Sequence, residues 1–260
     1  MKVVAIVSAK GGVGKTTVTA NLATALAYAG HPLLGIDLDP QNALKYHFGF
    51  DPNDVNGVSR ATLAGADWRL SALNSGERGV VLLPYGLVNE DDRRRFEHML
   101  DADPDWLARN LDAVQLPQDA LVLLDTPPGP SVYLQQALRI ADLVLVVTLP
   151  DAASYATLPM MENLVRSYCD GRKDFLGHFH IINQVDTTRQ LAADVAQVIR
   201  HRYSGRVLGN IHRDQSVAEA LACDKSVIDY ARDSQATEDF LAAAQAVTQI
   251  LAGKAPRAAR

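Results

Sequence analysis

Residues 10–17 read Lys10-Gly11-Gly12-Val13-Gly14-Lys15-Thr16-Thr17, and this octet decides the reading of the chain. It carries the phosphate-binding pattern G-x-x-x-x-G-K-[ST] in compressed form, with a second lysine at its front. Three glycines let successive backbone N–H groups turn toward one point and form a nest for phosphate oxygens. Lys15 is placed to reach the β- and γ-phosphates of a nucleotide, and the Thr16 hydroxyl to sit on Mg²⁺. A helix following the loop adds the positive end of its dipole to the same point.

The flanks supply the context that the motif needs. Lys2 to Ser8 is a short apolar run rich in β-branched residues, as a buried parallel strand requires. After the loop, Val18, Leu22, Leu26 and Ala29 recur at helical spacing, and Gly30 is placed to end that helix. Apolar runs then alternate with helical patterns almost to the end of the chain. Runs at 32–36, 79–83, 121–124, 143–147, 178–182 and 207–211 read as further strands. Helical patterns occupy 91–113, 131–141, 152–169, 188–203, 214–223 and 235–252. This predicts an α/β fold, a mostly parallel twisted sheet of about seven to eight strands with helices on both faces. Residues 1–252 read as a single domain. Residues 43–78 carry Gly49, Pro52, Gly57, Gly65 and Gly76 and read as an irregular excursion over the nucleotide side. Residues 253–260 are small and basic, as expected of a flexible tail.

Composition narrows the function classes. The 260 residues are 48% hydrophobic and 21% charged, which describes a globular chain. Lys plus Arg number 25 against 30 Asp plus Glu, a net charge of −5 that argues against broad nucleic-acid binding. Cys169 and Cys223 form no CxxC pair, which fits a reducing cytosol and offers no metal-cluster site. The first strand begins at once, so no signal peptide is expected. No apolar run approaches the roughly 18–20 residues of a membrane span.

A triphosphate site also needs acids at the ends of neighbouring strands to hold Mg²⁺ and its waters. Gly35-Ile36-Asp37-Leu38-Asp39-Pro40-Gln41 places two carboxylates on one face of an extended segment. Leu121-Val122-Leu123-Leu124-Asp125-Thr126-Pro127-Pro128-Gly129 ends a second apolar strand with another. Taken singly, Asp37 and Asp39 could be turn residues and Asp125 a helix cap; their order behind the glycine loop favours the metal site. Asn183, at the end of the strand near 178–182, can donate to and accept from an adenine edge, or cap the next helix. A guanine-selecting N-K-x-D is absent, because Gln184 and Val185 follow Asn183, although Asp186 retains its acid. This favours ATP.

The octet resembles, at every position, the deviant Walker A loop of the ParA and MinD-like ATPases, SIMIBI-like P-loop proteins in which Lys10 has a counterpart. Asp37-Leu38-Asp39-Pro40-Gln41 resembles their Walker A′ motif, and 121–129 their Walker B strand running into switch II. The resemblance implies that Asp37 helps to hold the magnesium shell and that Asp39 orients or activates the attacking water. It implies that Asp125 contacts Mg²⁺ through water, and that Thr126 to Gly129 sense the γ-phosphate. It places Asn183 against adenine, and Lys10 across a twofold interface on the partner's nucleotide. A solvated loop lysine is the alternative for Lys10. The implied activity is a slow Mg-dependent ATPase that switches an ATP-dependent homodimer. Ile211-His212-Arg213-Asp214-Gln215-Ser216-Val217-Ala218-Glu219-Ala220-Leu221-Ala222 further resembles the BcsQ branch, ATPases encoded with bacterial cellulose synthase. That implies a cytoplasmic dimer peripheral to the inner membrane. It would act with a small BcsR-like partner to assemble, localise or activate the cellulose synthase complex.

Other readings share the nucleotide core. A DNA-partition ATPase needs exposed basic surface, and Arg93-Arg94-Arg95 and Arg200-His201-Arg202 are the short basic clusters. A MinD-type positioning protein needs an amphipathic membrane helix. The stripe Phe240, Leu241, Ala244, Val247, Ile250 and Leu251 has little positive charge opposite it and reads as a core face. An iron–sulfur carrier needs paired cysteines, and a small-molecule kinase an acceptor-binding lid. An ATP-locked, non-catalytic scaffold dimer is the non-enzymatic reading.

Overall fold

The computed structural model describes residues 1–76 and 79–254, so most of the expected tail lies outside the described residues. Among the described residues, eight strands form one sheet. They are β1 (Lys2–Val7), β2 (Leu33–Asp37), β3 (Leu73–Asn74), β4 (Val80–Leu83), β5 (Leu121–Asp125), β6 (Leu143–Thr148), β7 (Gly177–Val185) and β8 (Val207–His212). Their order is β3-β4-β2-β5-β1-β6-β7-β8, and the short edge strand β3 alone is antiparallel to its neighbour among the described residues. Every residue of β2, β5 and β6 is buried, which is why these strands read as unbroken apolar runs rather than as alternating ones.

Ten helices surround the sheet in the described residues: α1 (Lys15–Tyr28), α2 (Val58–Ala64), α3 (Glu90–Ala102), α4 (Trp106–Val114), α5 (Val132–Ile140), α6 (Ala152–Cys169), α7 (Gln190–Arg202), α8 (Gln215–Ala222), α9 (Val227–Tyr230) and α10 (Gln235–Leu251). One core, built with α1, α8, α9 and α10, covers one face. A second core, built with α2 to α7, covers the other. The first is made mostly of small and branched side chains, with Phe48 and Phe240 among them. The second includes an aromatic group in which Trp68 and Phe96 both pack on Trp106, with ring centroids 5.1 and 5.3 Å away. The stripe on α10 is core: Phe240, Ala244, Val247 and Ile250 are buried, and Leu241 is exposed.

Register brings the site together. Ile6 pairs with Asp125, and Asp125 with Asp37, so β1, β5 and β2 end level at one edge of the sheet. The chain leaves β1 there and turns into α1. This is the carboxyl edge of a parallel sheet, where α/β proteins bind ligands.

Two expectations are corrected. The helical pattern over 91–113 is two helices, because Pro104 cannot continue a helix. Gln136 of α5 satisfies both ends of the break: its Nε2 donates to the carbonyls of Leu100 and Asp103 at 2.8 and 2.7 Å, and its Oε1 accepts from the Leu107 amide at 3.2 Å. The stretch expected as an irregular excursion divides, in its described residues, between the two faces of the sheet. A 3₁₀ turn at Leu44–Phe48 buries Leu44 and Phe48 in the α1 core. The chain then passes the end of β4, where a side-chain carbon on Gly57 would lie 2.3 Å from the Gly86 nitrogen. It packs α2 and Trp68 on the opposite face and returns as β3.

Candidate nucleotide-binding site

The loop between β1 and α1 depends on two glycines. Gly12 and Gly14 have φ of +75° and +80°, the left-handed region that other residues rarely occupy. Gly14 is also the N-cap of α1. It offers no side-chain acceptor, and no acid stands in the first turn, so the helix leaves its first amides and dipole for an external anion. The helices α3, α5, α6, α8, α9 and α10, by contrast, each start with a side-chain oxygen accepting from their own first turn.

Asn183 rivets this loop to the far half of the sheet. Its Nδ2 donates to the Val13 carbonyl at 2.8 Å, and a Cβ on Gly14 would lie 2.4 Å from the same nitrogen. The pairing of β7 with β8 shifts register between Ile182 and Val185, and Gln184 has φ +56°. That bulge re-aims Asn183 toward the loop. In the sequence Asn183 reads as a base contact or a helix cap, with no sign of this bond, which takes its nitrogen.

The acids converge as the spacing implied. Lys15 is buried, with Nζ 3.3 Å from Asp125 Oδ1 and 4.0 Å from Asp39 Oδ2. Thr16 Oγ1 donates to Asp125 Oδ2 at 2.7 Å, and Thr19 Oγ1 to Asp125 Oδ1 at 3.0 Å. Asp37 is fully buried and accepts from the amides of Asp39 and Leu44 at 2.9 and 3.0 Å. Burial and then the neighbouring Asp125 hold its carboxyl well above the usual range. Burial also raises Asp39, against the opposing pull of the Gln41 amide and Lys15. Two carboxylates, Asp39 and Asp125, thus share one buried ammonium, and the third, Asp37, lies beside Asp125. This donor set, with the Thr16 hydroxyl beside it, fits Mg²⁺, a hard cation that prefers oxygen ligands. Ser8, the octet, Asp39, Gln41 and Pro128 line a cavity of about 200 Å³ over these groups. The segment after β5 is strapped to β1: Thr126 Oγ1 donates to the Ile6 carbonyl, and the Gly129 amide to that of Ser8, both at 2.8 Å.

Lys10 sits apart from that cluster. Its Nζ lies 3.2 Å from both carboxylate oxygens of Asp151, which caps α6 through the Ser154 amide. Both side chains are partly exposed, at 34% and 42%. No local pattern reveals a partner 141 positions away.

A second cavity of about 660 Å³ adjoins the loop at Gly14 and Thr17. Asn183, Gln184, His212 and Phe240 line it, so the segment from Ile211 borders the same cavity as Asn183. Asp239 Oδ2 accepts from the His212 amide at 2.7 Å and lies 2.9 Å from His212 Nδ1. Asp186 also borders the cavity, but its carboxylate is engaged by Thr188 at 2.6 Å and Arg189 at 3.3 Å, which weakens the guanine reading. The first basic cluster is partly neutralised, with Arg93 on Glu90 and Glu97 and Arg94 on Glu90. In the second, Arg202 lies over the rings of Tyr155 and Tyr203.

Residues 1–247 match the family model described as "Cellulose biosynthesis protein BcsQ". The cellulose biosynthesis protein BcsQ of Escherichia coli K12 is 29% identical over 248 residues, covering 93% of this chain and 92% of its own. The crystal structure of the cell division ATPase MinD from Pyrococcus furiosus has a TM-score of 0.74 at 25% identity, covering 96% of this chain and 99% of its own. Cobyrinic acid a,c-diamide synthase from Mycobacterium smegmatis, crystallised with an ATP analogue and magnesium, shares the fold with a TM-score of 0.80 at 21% identity over 100% of both chains.

Proposed function

The chain belongs to the BcsQ family, of the ParA and MinD type, and we propose that it is a slow Mg-dependent ATPase whose bound nucleotide switches a homodimer that serves cellulose secretion. The observation that carries this reading is the different fate of the two lysines in one octet. Lys15 is buried among the site's own acids, and Lys10 is held outside them by a partly exposed pair with Asp151.

The division of labour follows from that geometry. Backbone amides of Gly11 to Thr17 and Lys15 would hold the triphosphate, while Thr16, Asp37 and Asp125 would hold Mg²⁺ and its waters. Bound Mg²⁺ supplies charge neutralisation at the phosphate oxygens. Asp39 lines the cavity beside Lys15 and would orient the attacking water and take its proton. Asn183 keeps the loop in shape with its nitrogen and offers its oxygen to adenine. The octet, Asp37, Asp39 and Asp125 all lie within 1–252, which we take as one working domain.

Lys10 supplies the switch. A partly exposed ion pair is worth only about 0–1 kcal/mol, so Asp151 can release this lysine to a phosphate of a second copy at little cost. A cation brought from the partner stabilises the charge on the transferring phosphoryl group and makes the dimer depend on it. Hydrolysis and phosphate release then weaken the interface. Among the described residues no helix is long and apolar enough to cross a membrane. The membrane link is therefore assigned to partners, a small BcsR-like protein and the inner-membrane synthase complex, with the protein itself cytoplasmic.

The test is capture of the Asp39→Ala chain from its native bacterium with ATP present. Cellulose synthase subunits should come down with it, in amounts that fall when ATP is replaced by ADP. Recovery of chromosomal DNA with partition proteins, or of division components, would assign the switch to another cargo. Phosphate release at the wild-type rate by Asp39→Ala would remove Asp39 from the chemistry.

A further inference from the structure

On the face of the sheet opposite α1, β7 presents His178 and His180, two residues apart and so on the same side. Both are buried, and His180 is fully so. Neither ring nitrogen of His180 has a hydrogen-bond partner, which is rare for a buried polar group. Its ring is clamped, with Tyr203 packed at 4.1 Å between centroids and His178 edge-on at 5.8 Å. The Tyr203 hydroxyl is buried beside them, and after burial itself the Glu162 carboxylate is what most raises its pKa, so it faces the same group. Glu162 of α6 closes the group: its carboxylate and one nitrogen from each histidine all lie within 4.8 Å of one another.

We propose that Glu162, His178 and His180 form a divalent-cation site suited to zinc, which ties α6 to β7. Two imidazoles and one carboxylate are a donor set that zinc takes, at bond lengths of about 2.0–2.2 Å. The half-buried Glu162 side chain can close the remaining distance from the helix surface. A zinc ligand must be neutral histidine, and burial keeps both rings so: His180 is brought down to about 3, and His178 is lowered by burial and then by Arg206. Two cations oppose the ion. Arg206 Nη1 lies 3.4 Å from His178 Nε2, and Arg166 also lowers His178. Removing Arg206 should therefore strengthen binding. The site is remote from the nucleotide, at the start of β7 where Asn183 stands near its end. It nevertheless bears on α6, the helix capped by the Asp151 that holds Lys10.

The experiment uses the full chain, stripped with a chelator and titrated with Zn²⁺ against a chromophoric competitor, with thermal unfolding in parallel. One equivalent should bind and raise the melting temperature. His180→Phe, which keeps a ring beside Tyr203 and removes two unpaired nitrogens, should stay folded and lose at least tenfold in affinity and the thermal shift. Glu162→Gln, at a half-buried position, should do the same if His180→Phe fails to fold. Arg206→Gln should bind more tightly. Absence of binding, or equal affinity in wild type, His180→Phe and Glu162→Gln, as an adventitious ion on Cys223 would give, overturns the proposal.

Discussion

A single methyl group at Gly14 tests the geometry of the loop. Gly14→Ala forces a side chain into φ +80°, at a cost of about 1–2 kcal/mol. The new carbon would stand 2.4 Å from Asn183 Nδ2, so the amide must leave and its 2.8 Å bond to Val13 must break. Leaving those buried atoms unpaired costs about 1–3 kcal/mol more. The total of about 2–5 kcal/mol corresponds, at about 2–4 °C per kcal/mol for a chain of this size, to a large fall in melting temperature. Asn183→Ala alone loses the bond, for the same cost of about 1–3 kcal/mol, and clears the space. In the double variant only the backbone strain is added, so the two costs should fall short of additivity by at least about 1 kcal/mol. Urea unfolding of the four proteins measures this cycle. Additivity within about 0.5 kcal/mol would refute the claim that the loop and Asn183 are held by mutual contact.

Lys15→Ala should weaken ATP binding by about 10- to 100-fold, the worth of a charge-assisted contact to phosphate, as calorimetric titration would show; unchanged affinity would move the phosphate elsewhere. Lys10→Ala should leave ATP affinity within about twofold and stability within about 1 kcal/mol, because its pair with Asp151 is partly exposed, while ATP-dependent dimerisation is lost. An unchanged dimer in light scattering would reject its role across the interface. Asp37 and Asp39 hold protons above the ordinary carboxylate range, so their stabilising contribution in the metal-free protein is complete below the unfolded carboxylate pKa. It is lost as pH rises through the raised folded values. A divalent cation favours the ionised forms, so Mg-nucleotide binding in mildly acidic solution should release protons. Calorimetry in buffers of different ionisation enthalpy would read that release, and identical heats in all buffers would count against it.

The parts legible in the sequence are those set by local rules. The octet needs glycine where φ is positive, and the acids needed only a short apolar strand before them, so both could be read without a partner strand. β3 escaped because two residues carry no periodicity, and the break at Pro104 was hidden by apolar spacing that continues on both sides. The rest depends on contacts distant in sequence. Asn183 meets Val13 170 positions away, Lys10 meets Asp151 141 away, and neither residue's neighbours announce the match. His178 and His180 looked like ordinary strand residues until α6 brought Glu162 over them.

The most direct measurement of the central claim is the molar mass of the Asp39→Ala chain in light scattering, with Mg-ATP and then with Mg-ADP. A dimer switched by the γ-phosphate should weigh twice the chain's 28.1 kDa with ATP and fall to the single chain with ADP. A single chain in both, with ATP shown to be bound, would contradict a dimer switched by the γ-phosphate.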